Sequence, residues 1–268
     1  MRADSSATEK ITRNAPVNQH TTVSVITVCY NSATTLAAAL QSVAGQTWPH
    51  IEHIVIDGGS KDATHEILAQ FPHLAQVVSE PDKGIYDAMN KGLALARGDI
   101  ICFLNADDQY ASPEALATVA QEMAGHQLDA LLGDVAFFHP GKPDKVVRRY
   151  RSARFSPARL AWGWMPAHPA LFLRRSVVDR VGKFRTDYRI AGDFEFIIRA
   201  FYQANLRYRH LSQVFVNMQT GGVSTAGLRS KILLNQEVLR ACRDNGIRTN
   251  MLKILSKYPA KLLELIVR

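Results

Sequence analysis

Runs of β-branched residues alternate along the first half of this chain with stretches of helical spacing, and the runs end in polar clusters. Residues 23–30 (VSVITVCY), 51–56 (IEHIVI) and 99–104 (DIICFL) are nearly continuous in apolar side chains. Such runs belong to strands covered on both faces. Between them Leu36, Ala39, Leu40 and Val43 recur at helical spacing, and a second helix carries Ile67 and Leu68. A third places Ile85, Met89, Leu93 and Ala96 on one face, after a short strand at Val77 and Val78. Strands and helices joined by short connections predict an α/β fold with a mainly parallel central sheet flanked by helices. Ligands of such sheets bind beyond the carboxyl ends of the strands. Three polar clusters fall there: Tyr30-Asn31-Ser32, Asp57-Gly58-Gly59-Ser60 and Asn105-Ala106-Asp107-Asp108.

Past residue 129 the pattern changes. Residues 131–138 and 145–150 suit a hairpin turning at Pro140-Gly141, and 162–169 form an aromatic, proline-rich loop. Residues 192–202 read as a helix burying Phe194, Ile197, Ile198 and Phe201. Residues 227–245 and 250–267 predict two amphipathic helices. The last aligns Ile254, Leu255, Tyr258, Leu262 and Ile266 in one stripe among Lys253, Lys257, Lys261 and Arg268. That composition suits a helix lying in a membrane interface as well as one packed on the domain. The expected organisation is a flexible tail over 1–22, one domain over 23–226, and a basic helical extension over 227–268.

No window approaches the ~18 consecutive apolar residues of a membrane span, and the polar first twenty residues carry no secretory signal. Cys29, Cys102 and Cys242 lack CxxC spacing. They point to reduced thiols in a cytoplasmic protein rather than a disulfide scaffold or zinc site. The net charge of +8 is unevenly spread. Residues 52–129 hold thirteen acidic against four basic side chains, 142–185 hold twelve basic against two acidic, and 228–268 nine basic against three acidic. The basic back favours anionic partners. Nucleic acid is argued against, because no helix-turn-helix, zinc or RNA-binding motif is present and the main fold lies in the acidic half.

The clusters carry the chemistry. Asp107 and Asp108, adjacent and just past a buried strand, suit a hard divalent cation that takes oxygen ligands, or else a plain capping turn. Asp57 can accept hydrogen bonds from a base or ribose while the glycines let a ligand approach the backbone, or it can close a Gly turn. Asp193 and Glu195 open a helix, where a carboxylate serves as general base or as an ordinary cap; two residues apart, they face different ways. His168, between Pro166 and Pro169, suits a diphosphate, a metal or simple packing. Trp162 and Trp164 suit stacking on a sugar ring or covering the core. Neither GxGxxG after the first strand nor GxxxxGK[ST] is present, so a bound nucleotide needs a metal or basic side chains for its phosphates.

Taken in order, six segments resemble glycosyltransferase family 2 of the GT-A fold, in the branch that builds bacterial surface polysaccharides such as O-antigen and colanic acid. They are VSVITVCYNSATTL at 23–36, QSVAGQTWPHIEHIVIDGGSKDAT at 41–64, EPDKGIYDAMNKGLALARGDIICFLNADD at 80–108, HPALFLRR at 168–175, RIAGDFEFIIR at 189–199 and GGVST at 221–225. The resemblance implies a nucleotide-binding half over 23–129 and an acceptor half over 130–226. It implies that Asp57 contacts uracil, that Tyr30 and Asn31 line the nucleotide pocket, and that Asp82, Lys83 and Asn90 lie in the segment closing over it. Asn105-Ala106-Asp107 falls where the family has Asp-x-Asp, with Asp107 and Asp108 at the Mn²⁺ or Mg²⁺ ion and Asp193 as catalytic base. Trp164, His168 and Glu195 are the remaining candidates for acceptor or diphosphate contact. Two positions depart from the family pattern: Asn105 replaces the first acid of the motif, and Gly58 replaces a second acid after Asp57.

The implied reaction moves a sugar from a UDP-sugar to a hydroxyl by one inverting displacement. The implied acceptor is an oligosaccharide on a polyprenyl diphosphate at the cytoplasmic face of the inner membrane, with the basic segments docked on anionic lipid. A non-catalytic sugar-nucleotide-binding or scaffolding protein on the same fold is the competing reading.

Overall fold

Burial explains the continuous runs directly. All seven residues of β1 (Val23–Cys29) are buried, and β2 (Ile51–Asp57) is buried over its last five. The computed structural model describes residues 20–202, 204–221 and 227–258. The first nineteen residues of the predicted tail, the 222–225 part of GGVST, and Lys261, Leu262, Ile266 and Arg268 of the last helix lie outside them. The remaining strands are β3 (Leu74–Ser79), β4 (Ile100–Phe103), β5 (Asp108–Tyr110), β6 (Ala130–His139), β7 (Lys142–Tyr150), β8 (Leu171–Arg174) and β9 (Tyr208–Gln219). The helices are α1 (Leu36–Ala44), α2 (Thr64–Leu68), α3 (Ile85–Leu95), α4 (Ala115–Gly125), α5 (Arg175–Val181), α6 (Gly192–Phe201), α7 (Leu228–Asp244) and α8 (Met251–Leu255).

One sheet runs β3-β2-β1-β4-β8-β6-β9-β5, with β7 beside β6. It is parallel from β3 to β4 and mixed beyond, because β8 lies antiparallel between β4 and β6. Helices cover it, so the α/β expectation holds, as does the hairpin around Pro140-Gly141. On α3 Met89 and Ala96 are buried and Leu93 packs against the core as expected, but Ile85 is exposed and Tyr86, Ala88 and Gly92 are buried instead. Close packing decides this, since a side chain at Gly92 would collide with Ile26 of β1.

The described part of the C-terminal helices packs against the domain. Val238, Ala241 and Cys242 of α7 and Ile254 of α8 join the core that holds Phe194, Ile197 and Phe201 of α6. Asn235 donates to the Tyr258 hydroxyl at 2.9 Å, tying α8 back to α7. Residues 227–258 are therefore built into the domain rather than appended to it. Leu228, Ile232 and Leu252 remain exposed.

Candidate active site

β1, β2 and β4 end side by side: Cys29 pairs with Asp57, and Ile26 with Phe103. The three polar clusters therefore share one edge of the sheet. Asn31 adopts φ 49°, a left-handed conformation that Asn tolerates better than most residues. Its backbone N–H donates to Ser60 Oγ at 2.7 Å and its Oδ1 accepts from the Lys61 N–H at 2.9 Å, knitting the first two clusters together. Tyr30 stands exposed beside them.

Asp57 corrects the sequence reading in part. Its carboxylate is enclosed and accepts from the Ser60 hydroxyl and N–H and from Ser79 Oγ at 2.6 Å. Burial acts to raise its pKa, but those donors outweigh burial and hold it below the usual carboxylate range. A base reaches Asp57 only if a serine hydroxyl gives way. The open wall is made instead by Tyr30, Gly58 and Asp82. A side chain at Gly58 would run into the Asp82 carboxylate, and its Cβ would lie 3.4 Å from the Tyr30 ring. Asp82 thus leans into the space that an acid at position 58 would occupy. Lys83 is exposed alongside, its backbone N–H bonded to Asp87. Asn90 is a second correction: its amide donates to Phe184 O at 2.9 Å and accepts from Phe184 N–H at 2.8 Å. Both ends of its amide are spent on holding a loop.

At the end of β4, Asp107 and Asp108 part company. Asp108 is enclosed within β5, where the Asn105 amide donates to it at 3.1 Å. Burial first, and the charge of Asp107 second, push its pKa well up. It is not an accessible ion ligand, which corrects the paired-carboxylate reading. Asp107 keeps an accessible surface, and burial raises its pKa as well. Asn105 Oδ1 is buried with no donor facing it, an acceptor that a ligand hydroxyl or an ion would satisfy. Among the described residues no three His, Cys, Asp or Glu side chains gather into a metal cage. Ligand or solvent oxygens would have to complete any ion site at Asp107.

Aromatic rings connect this turn to the helix start at Asp193. His168 stacks on Phe103 with centroids 5.4 Å apart, and burial pushes its pKa down to about 4, so the imidazole is neutral. Phe184 meets Phe103 edge-on at 5.3 Å and stacks on Tyr86 at 5.8 Å. Tyr86 lies flush on Gly192, where an added Cβ would sit 2.7–2.8 Å from the ring. Gly192→Ala is therefore expected to cost about 1–3 kcal/mol by overpacking. The cost is read as a lowered Tm, with Gly125→Ala, which meets nothing within 4 Å, as control.

Asp193 sits in the first turn of α6, one oxygen accepting from the Phe194 N–H at 2.8 Å. Burial pushes its pKa up to about 6, partly offset by that N–H. Glu195 departs from the sequence reading. It is enclosed and forked onto Arg199 at 2.8–3.1 Å, turned away from Asp193 and unable to meet an acceptor. Trp164 is half-buried, and Trp162 is exposed beneath Lys253 Nζ at 5.5 Å on the side of α8. Sequence reasoning missed Tyr86 and Phe184. Tyr86 takes the buried place expected of its neighbour Ile85, and Phe184 carries no local signal.

The Glycosyl transferase family 2 pattern matches residues 24–182, more than half of the chain. The chain belongs to glycosyltransferase family 2. PGL/p-HBAD biosynthesis glycosyltransferase Rv2957 of Mycobacterium tuberculosis is 34% identical over 212 residues, covering 75% of this chain and 78% of its own. That corrects the expected branch: such relatives carry mycobacterial PGL/p-HBAD names, not O-antigen or colanic acid ones. S. aureus TarS 1-349 in complex with UDP superposes with TM-score 0.62 at 23% identity, covering 81% of this chain and 65% of that one. The mannosyltransferase PcManGT of Pyrobaculum calidifontis, in complex with GDP-Man and Mn²⁺, superposes with TM-score 0.60 at 22% identity. It covers 84% of this chain, which spans 64% of that one. The fold of this family 2 member is GT-A-like.

Proposed function

We propose that this chain is an inverting, metal-dependent glycosyltransferase that moves a sugar from a UDP-sugar to a hydroxyl of a lipid-linked acceptor. The observation that carries the reading is the run of polar groups from the strand ends, across the aromatic rings, to the start of α6. Tyr30, Gly58 and Asp82 stand together on one side, Asp107 and the unpaired Asn105 oxygen lie at the β4 end, and Asp193 stands past the aromatic bridge. Asp107 suits Mg²⁺ or Mn²⁺, hard cations bound through one or two carboxylates plus substrate oxygens. When bound, such an ion neutralises charge growing on the departing diphosphate. Asn105 offers its amide oxygen to a ligand hydroxyl. Asp193, its pKa pushed up to about 6, takes the proton of the acceptor hydroxyl as it attacks the anomeric carbon. The reading is tested by calorimetry with UDP, UDP-glucose, UDP-galactose, UDP-N-acetylglucosamine and GDP-mannose, with and without Mn²⁺. Mn²⁺-dependent UDP binding is expected. Folded protein that binds none of them leaves the scaffold reading standing.

The lipid-linked acceptor, for which a polyprenyl diphosphate is the proposed carrier, puts the reaction at the cytoplasmic face of a membrane. No helix among the described residues is long and apolar enough to cross one. Leu228 and Ile232 on α7 and Leu252 and Leu255 on α8 are exposed, with Arg229, Lys231 and Lys253 among them. Apolar side chains ringed by cations suit an anionic interface. The double variant Leu228→Glu/Ile232→Glu is expected to lose co-sedimentation with phosphatidylglycerol vesicles and keep its UDP affinity. Unchanged sedimentation removes the membrane role of this face.

A further inference from the structure

The segment leading into α6 is held from another helix. The N-cap position of α6, Ala191, has no side chain to accept a hydrogen bond, and no local side chain takes that role. Instead the Glu237 carboxylate of α7 reaches the three preceding backbone amides. Oε1 accepts from the Arg189 N–H at 2.7 Å, and Oε2 accepts from the Ile190 and Ala191 N–H groups, both at 2.8 Å. Glu237 is buried, and a buried carboxylate persists only where such donors offset its lost hydration. Asp193 accepts from the adjacent Phe194 N–H, and Tyr86 lies against it as well.

We propose that Glu237 is a positioning residue for the transfer reaction: by holding the backbone amides of residues 189–191, it fixes the start of α6 and with it the place of Asp193. This rests on the reading of Asp193 as the base. The same loop is pinned elsewhere, since Asp244 of α7 accepts from Arg185 at 2.7 Å and from the Tyr188 hydroxyl at 3.1 Å. Asn90 holds Phe184 at the loop's other end. Glu237, however, takes the backbone amides of the three residues that lead into Gly192 and Asp193, where the Tyr86 hydroxyl donates to the Ile190 carbonyl at 2.6 Å. Its charge also bears on Asp193, which otherwise faces Tyr86 of α3 and its own helix's Phe194 N–H.

The test measures UDP released from whichever donor of the panel above turns over, with water as acceptor, in Glu237→Ala and Glu237→Gln. Displacing a catalytic group by about 1 Å costs roughly a hundredfold. Glu237→Ala is therefore expected to lose about that much kcat while the donor KM stays within threefold. Glu237→Gln keeps an oxygen for Ile190 and Ala191 and should recover a large part of kcat. With the neighbouring negative charge gone, the acid limb of its kcat–pH profile should move to lower pH. Asp244→Asn loosens the same loop without touching 189–191, and should lower Tm while leaving that limb in place. If Glu237→Ala fails to fold, Glu237→Gln decides by its pH limb. Wild-type kcat in both variants, or a limb that stays put in Glu237→Gln, overturns the proposal. Should Asp193→Asn also retain turnover, the base assignment falls with it; an inactive Asp193→Asn beside fully active Glu237 variants sinks the positioning role alone.

Discussion

Asp193→Asn is expected to lose between a hundredfold and ten-thousandfold of kcat, the usual yield of a general base, while its UDP affinity stays within about twofold. The substitution preserves shape, and Asn Oδ1 can still accept from the Phe194 N–H that holds the present carboxylate. What disappears is a group able to take a proton. In the unmodified enzyme kcat should fall as pH drops below about 6, where the proton already occupies the base. Stability should move the other way. Burial raises the folded pKa of Asp193 from an ordinary 3.8 to about 6, so the ionised form costs stability at neutral pH. That cost is full above pH 6, shrinks between 6 and 4, and vanishes below. Asp193→Asn should therefore raise Tm at pH 7.5, by an amount of the order of 2 kcal/mol in free energy, and leave it unchanged at pH 3.5. Loss of turnover with gain of stability is the signature of a group held at a disadvantage for its chemistry. Turnover at the wild-type rate would remove Asp193 from the reaction.

Much of the nucleotide half was legible because its physics is local. β1, β2 and β4 bury both faces, so their composition alone marks them, and their polar ends mark the ligand edge. β5, β8 and β9 escaped notice. β5 and β8 are three and four residues long, and β9 mixes Arg209, His210, Gln213 and Asn217 through a half-exposed run. Their place is set by pairing with distant strands, which no local pattern records. The site shows the same division. Residue types at strand ends were readable, but whether a carboxylate faces the cleft depends on partners elsewhere. Ser79 of β3 helps close over Asp57, Phe184 claims Asn90, and Arg199 claims Glu195. Glu237 had no signal at all, because its three partners lie 46 to 48 residues away.

Asp107 and Asp108 are adjacent in sequence, yet they should behave oppositely. Residues 52–129 carry thirteen acidic against four basic side chains, so a diphosphate brought to the β4 end meets like charge unless a cation intervenes. Wild-type UDP binding should accordingly be weak in chelator and tighten with Mn²⁺. Asp107→Ala is expected to abolish that tightening, a loss of the order of a hundredfold in the presence of Mn²⁺, and with it UDP release from the donor. In chelator the same variant should bind UDP as well as the wild type or slightly better, since one negative charge has left the site. A general defect in folding would weaken both conditions alike, so the two titrations separate the causes. Asp108→Asn tests the other carboxylate. Enclosed, with its pKa pushed well up, Asp108 is poorly placed to offer a charge to an ion, and its contact is with the Asn105 amide. The neutral variant should keep Mn²⁺-dependent UDP binding within severalfold and be at least as stable at pH 7.5. If Asp108→Asn instead loses Mn²⁺ dependence as completely as Asp107→Ala, the ion draws Asp108 out of β5, and both acids share the metal.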